Sequence, residues 1–251
     1  MYKRQDGDIR YETVGKVFEG NEVRISEDGE IMVRGPMIFA GYYKDPEGTK
    51  KKFRDGWYLT GDAGYIDEEG HLIYWDRVEE LIELPDGTKF SPQFIEVRLR
   101  FSPYIKDVMV LGGKDKPFVS AIITHDYENV SKWAEKRRIP FTTYTDLSQK
   151  PEVIELLLKE VERVNRALPD SARIRKFVSL HKEFDPDEAE LTRTRKLKRS
   201  PLEEKYKGLI DAIYSGASRY RVSAQVTYRD GRKGVVETDV LINDVPVEER
   251  V

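Results

Sequence analysis

The chain has 251 residues, no cysteine, three histidines and a formal charge of −3, with 35% of its residues charged. That length suits one large or two modest domains, and the lack of cysteine excludes disulfides, thiol nucleophiles and thiolate metal sites. The slightly negative balance argues against a general affinity for nucleic acid. With no signal peptide legible and no apolar run near the ~20 residues of a membrane span, the chain reads as cytoplasmic.

In chain order, residues 1–5 (MYKRQ) resemble the translation of a library-transposon end, a scar to be set aside, with a native polar N-terminus as the alternative. From Thr13 to Phe39 the pattern is one of short strands: Val23–Ile25, a turn at Glu27-Asp28-Gly29, then Ile31–Gly35 with period-two alternation. Asp45-Pro46 is expected to open a short helix through Phe53. In Thr60-Gly61-Asp62 the glycine predicts a tight turn that leaves the Asp62 carboxylate free to accept hydrogen bonds from sugar hydroxyls. Taken alone, Asp62 is a turn residue. The alternating run His71–Trp75 predicts a strand that delivers Arg77 to the charged segment Val78–Glu80; taken alone, Arg77 is a solvated strand-end charge. The histidines His71, His125 and His181 lie far apart without ligand spacing and read as surface or strand residues.

Beyond Arg77 the chain reads as a self-contained α+β unit. A Pro85-Asp86-Gly87 turn precedes Ser91-Pro92, a serine cap and first-turn proline that start a helix with Ile95 and Leu99 on one face. Val108–Leu111 and Phe118–Ile123 are apolar strands around Gly112-Gly113. Helices are expected at Tyr127–Lys136 and Pro151–Leu168, the latter with Val153, Leu157, Val161, Val164 and Leu168 as a buried stripe. A strand at Phe177–Leu180 leads into an acidic loop, Asp185–Glu190. Next comes a run of five cations in seven residues: Arg193, Arg195, Lys196, Lys198 and Arg199. By itself that run is a solvated face, a phosphate-binding patch or, third, a nucleic-acid contact. One amphipathic helix is expected over Pro201–Tyr214, followed by a hairpin of Tyr220–Tyr228 and Val235–Ile242 around Asp230-Gly231, packed on that helix or offering an edge to a partner.

Four stretches in order, DGWYLTGDAGYIDEEG (55–70), YWDRVEELI (74–82), SPQFIE (91–96) and LTRTRKLKR (191–199), resemble the later motifs of the adenylate-forming acyl-CoA synthetases, above all the long-chain fatty acid ligases. The resemblance runs from about Thr13 to Arg199 and implies a truncated reading frame: an antiparallel β remnant of the large nucleotide-binding domain (6–77), a hinge (78–80), a small α/β C-terminal domain (81–200) and a helix-plus-hairpin extension (201–251), in all an α+β fold. It implies that Thr60, Asp62 and Arg77 hold the ATP or AMP ribose side, that Glu79 is the hinge, and that Lys196 is the catalytic lysine. Gly87 and Lys89 would lie on a loop facing CoA. Asp76 stands where the family has glycine, and Arg193 and Arg195 where it has proline and glycine. The implied substrates are a fatty acid, ATP and CoA, with Mg²⁺ held by upstream residues. No Gly/Ser/Thr-rich phosphate loop occurs in the 251 residues, so the chain alone is expected to form no adenylate. A fatty acyl-AMP ligase serving a carrier protein is the close alternative, and a non-enzymatic partner-binding module the distant one. Peripheral membrane contact stays compatible with the sequence, and no residue in it sets an oligomeric state.

Overall fold

The computed structural model describes residues 2–3, 10–11, 13–192, 196–227 and 233–246. The chain divides into two compact units, Met1–Leu81 and Ile82–Val251.

The first unit is antiparallel β. Strands β1 (Tyr2–Lys3) and β2 (Lys16–Val17) pair as a small ribbon. Strands β3 (Glu22–Ile25) and β4 (Glu30–Arg34) form the hairpin expected around Gly29, whose φ of +82° explains the glycine. Helix α1 (Pro46–Lys52) starts as predicted, with the Asp45 carboxylate accepting the Gly48 N–H at 2.8 Å. After β5 (Phe53–Arg54), the long β6 (Trp57–Ile66) pairs with β4, β5 and β7 (Leu72–Arg77), giving a sheet in the order β3-β4-β6-β5 with β7 also on β6. Ile31, Val33 and Leu72 form its small core.

The second unit opens with a short hairpin, β8 (Ile82–Glu83) and β9 (Lys89–Phe90), and then α2 (Pro92–Arg100), capped by Ser91 Oγ on the Phe94 N–H at 2.9 Å. Strand β10 (Ile105–Gly113) runs through both glycines of the expected turn, and the turn to β11 (Lys116–His125) falls two residues later, at Lys114-Asp115. Helices α3 (Tyr127–Lys136), α4 (Tyr144–Ser148) and α5 (Pro151–Asn165) follow, then β12 (Ile174–Ser179), α6 (Arg199–Lys205), α7 (Lys207–Tyr214), β13 (Arg219–Thr227) and β14 (Lys233–Asp244). The sheet order is β10-β11-β12-β14-β13, with β11 parallel to β12 and the other pairs antiparallel. Period-two alternation splits its residues between two cores. Val108, Val110, Ala121 and Phe177 face the α2, α3 and α5 side, while Met109, Leu111, Ile122 and Val178 face α6 and α7. The stripe Val153, Leu157, Val161, Val164 and Leu168 is buried, although the helix itself ends at Asn165.

Two expectations are corrected. The single helix over Pro201–Tyr214 is two, broken at Tyr206 (φ −99°, ψ 16°), where the ring turns inward onto a buried carboxylate and Gly208 leaves room for the Tyr220 hydroxyl. The terminal hairpin does more than pack on that helix: β14 enters the sheet between β12 and β13, pairing Val178 with Ile242 and Lys176 with Asp244. Its Asp230-Gly231 turn lies outside the described residues. All three histidines are buried, just before β7 (His71), at the end of β11 (His125) and just past β12 (His181).

Candidate functional site

The Thr60-Gly61-Asp62 segment is a bulge inside a strand, not the expected turn. The β4–β6 register pairs Met32 with Leu59 and Glu30 with Ala63, so Ile31 alone faces three residues of β6. Side chains replace the interrupted ladder: Thr60 Oγ1 donates to the Ile31 carbonyl at 2.7 Å, the Asp62 N–H donates to Thr60 Oγ1 at 3.0 Å, and the Gly61 N–H donates to Glu30 Oε1 at 2.8 Å. Gly61 holds φ +76°, a left-handed backbone conformation that favours glycine, while a Cβ there would meet only the flexible ends of Lys52, at 3.2 Å, and Arg77, at 3.5 Å.

The bulge sets Asp62 directly opposite Arg77 on β7, and their side chains form an ion pair at 3.0 Å. Arg77 Nη1 also donates to the Thr60 carbonyl at 3.4 Å. The pair remains accessible, with 36% of the Asp62 side chain and 55% of the Arg77 side chain exposed, so a carboxylate that accepts and a guanidinium that donates stand side by side at the surface. Such a pair can grip vicinal hydroxyls, and in water the pair itself contributes little stability. Thr60 supports the bulge through its hydroxyl. Near the pair, the Tyr58 and Tyr42 hydroxyls lie 3.3 Å apart, and this hydrogen bond, with burial, pushes Tyr58 up to about 12. Glu30, Lys52, Tyr42 and Tyr58 were not picked out as site residues from the sequence. Their grouping depends on strand register, which local pattern does not carry.

Glu79 sits in a single 3₁₀ turn, Val78–Glu80, flanked by extended Arg77 and Leu81 and closed by one backbone hydrogen bond, Leu81 N–H to the Val78 carbonyl at 3.3 Å. This turn directly precedes the division at Leu81/Ile82. In the β8–β9 hairpin, Gly87 has φ +83° with open space around its Cα, and the Asp86 carboxylate accepts the Thr88 N–H at 2.9 Å. Lys89 is half-buried and pairs with Glu83 across the hairpin.

Thr192 and Lys196 are tied to each other across residues 193–195. The Thr192 N–H donates to the Lys196 carbonyl at 2.7 Å, the Lys196 N–H donates to Thr192 Oγ1 at 2.9 Å, and Leu191 bridges Leu197. Leu191 is buried in the second core and Leu197 packs against it, so the stem is anchored while Lys196 stays exposed. Arg193 and Arg195 lie outside the described residues. Arg199, grouped by sequence with the solvated basic run, has a structural partner: its Nη2 lies 2.5 Å from Glu96 Oε1 and its Nη1 donates to the Val110 carbonyl at 2.9 Å. Burial pushes Glu96 above the usual carboxylate range, and Arg199 opposes that rise. The structure thus brings Asp62 and Arg77 together in the first unit, and places Gly87, Lys89 and Lys196 in the second.

Residues 79–218 match the family model described as the AMP-binding enzyme C-terminal domain, and the chain belongs to this family. Over 212 residues it is 38% identical to the long-chain-fatty-acid–CoA ligase FadD15 of Mycobacterium tuberculosis, a match covering 84% of the chain and 35% of that protein. It is 33% identical over 204 residues to long-chain-fatty-acid–CoA ligase 1 of Cavia porcellus, covering 79% of the chain and 29% of that ligase. The chain therefore spans about a third of the length of these relatives. The crystal structure of apo MatB from Rhodopseudomonas palustris shares the fold, with a TM-score of 0.54 and 24% identity over 81% of this chain and 38% of that one. The family match stops before β13, so the hairpin that completes the sheet lies beyond it.

Proposed function

We propose that this chain is the C-terminal part of an ATP-dependent long-chain fatty acid:CoA ligase, which first joins a fatty acid to AMP and then transfers the acyl group to CoA. The observation that carries the proposal is the accessible Asp62–Arg77 pair held by the β6 bulge, because it presents the acceptor and donor that a ribose edge requires. The names of the relatives support the long-chain acid and CoA as substrates.

Adenylation brings a carboxylate onto the α-phosphate of ATP, so negative charge accumulates on the phosphoryl oxygens as pyrophosphate leaves. A preorganised ammonium at that point lowers the barrier, and Lys196, exposed at the end of a stem anchored in the core, supplies it. Asp62 and Arg77 orient the ribose throughout. The 3₁₀ turn around Glu79, with one backbone hydrogen bond, is the hinge that withdraws Lys196 and brings the β8–β9 hairpin to the thioester step. There Gly87 leaves room for the pantetheine arm and Lys89 meets a CoA phosphate. We assign no residue of this chain to Mg²⁺.

The test is a chimera in which this segment replaces the corresponding part of the FadD15 ligase. Palmitate-dependent ATP–pyrophosphate exchange and palmitoyl-CoA formation are expected in the chimera and not in the 251-residue chain alone. A folded chimera that adenylates no acid would overturn the proposal.

A further inference from the structure

We infer that Glu190 is a positioning residue for Lys196: its buried carboxylate clamps the neck of the lysine loop to the sheet and to α6. The inference rests on the proposed role of Lys196 for its functional meaning, but its structural content stands separately.

Only 1% of the Glu190 side chain is exposed, and it collects four donors. The Tyr206 hydroxyl donates at 2.7 Å, the Asp185 N–H at 2.7 Å, Lys205 Nζ at 2.8 Å and Lys182 Nζ at 3.3 Å. These donors come from the strand exit after β12, from the acidic loop, from the end of α6 and from the break between α6 and α7, so one carboxylate joins four segments. Glu188 pairs with the same two lysines from the outside, which balances two ammonium groups with two carboxylates. The Glu190 carbonyl meanwhile accepts the Lys198 N–H at 3.0 Å, on the returning limb of the loop, two residues past Lys196. Side chain and main chain of one residue thus fix both limbs. Ala189 adopts φ +60°, a strained conformation for a residue with a Cβ, at the step that turns the Glu190 side chain inward.

A buried carboxylate serving only the general stability of the unit would spread its effect across the core, whereas a clamp on the loop acts first on the loop. In Glu190→Gln the size is kept and the amide oxygen still accepts the Asp185 N–H, while the Tyr206 hydroxyl turns to accept from the amide NH2 and the charge that holds the two lysines is lost. In the 251-residue chain, amide hydrogen exchange at Lys196, Leu197 and Lys198 is expected to rise about tenfold in this variant, the usual scale for losing a charge-assisted bond, with core amides such as Val110 and Ile122 changing less than about twofold. Tyr206→Phe, which removes a single neutral bond, is expected to give a smaller rise at the same amides, and Glu190→Asp to restore part of the protection. Unchanged loop exchange, or an equal rise in loop and core, overturns the inference. In the chimera, Glu190→Gln is expected to lower adenylation kcat about tenfold while the KM for ATP stays within about twofold. If Lys196→Ala leaves adenylation intact, the role of Lys196 falls, and the exchange data still judge the clamp.

Discussion

Arg199→Ala removes a cation hydrogen-bonded to a carboxylate buried under β10. Glu96 Oε1 would keep the Val110 N–H at 2.8 Å but lose the guanidinium at 2.5 Å, and the Val110 carbonyl would lose its 2.9 Å donor. Breaking a buried pair from one side costs about 3–5 kcal/mol, and because a third of the Arg199 side chain is exposed the lower end applies, about 3 kcal/mol at pH 7.5. For a unit of this size that corresponds to a fall in Tm of roughly 6–12 °C. The pH dependence gives the sharper test. Burial already raises Glu96, and loss of Arg199 removes the influence opposing that rise. A carboxyl whose folded pKa lies above its unfolded value binds its proton more tightly when folded, so its penalty is full at high pH and fades as pH drops through the folded value. Thermal unfolding of wild type and variant at pH 7.5 and pH 5 should therefore show a smaller Tm gap at pH 5. An equal gap at both values, or none at pH 7.5, would refute the reasoning.

The buried histidines predict acid sensitivity of another kind. Burial lowers His125 to about 3, and burial with the nearby Lys182 lowers His181 to about 4. The unfolded chain therefore takes up protons that the folded one refuses, and stability falls as pH drops from about 6.5 toward 4, with a limiting slope near 2.7 kcal/mol per pH unit for two groups. Urea midpoints at pH 7, 6 and 5 check this, and His125→Phe should remove about half of the slope. At Ala189, Ala189→Gly relieves a φ of +60° and, after the extra freedom of glycine in the unfolded chain, should stabilise by about 0.5–1 kcal/mol, read as a higher Tm.

Local rules made much of the fold legible. The Ser91-Pro92 cap, the Asp45-Pro46 start and the period of Val153, Leu157, Val161 and Val164 are short-range signals, and each lies where the residue chemistry put it. The apolar run Val108–Leu111 fitted a strand, but did not show that its two faces serve separate cores. What stayed hidden depends on distant pairing. The bulge at Thr60–Asp62 exists because β4 and β6 differ in residue count between two pairs, and no window of β6 alone contains that mismatch. The insertion of β14 beside β12 joins residues far apart in sequence, and the hairpin pattern of β13 and β14 would be the same without it. At Tyr206 the helical period continues through the break, since Leu202, Leu209, Ile210 and Ile213 stay buried on the same core, and the cause is a tertiary bond to Glu190. Arg199 read as one of five cations in a solvated run because its partner Glu96 sits 103 residues away.

The most direct test of the account is the split between half-reactions in the chimeric ligase. Lys196→Ala should lower fatty-acid adenylation by about 10²- to 10³-fold, the typical cost of one preorganised contact to developing charge, while thioester formation from supplied acyl-adenylate and CoA stays near wild type. Asp62→Ala, which under the proposed function removes a ribose contact made in both steps, should weaken both. Equal loss of both half-reactions in Lys196→Ala would contradict the withdrawal of Lys196 between steps, and unchanged adenylation would contradict its catalytic role.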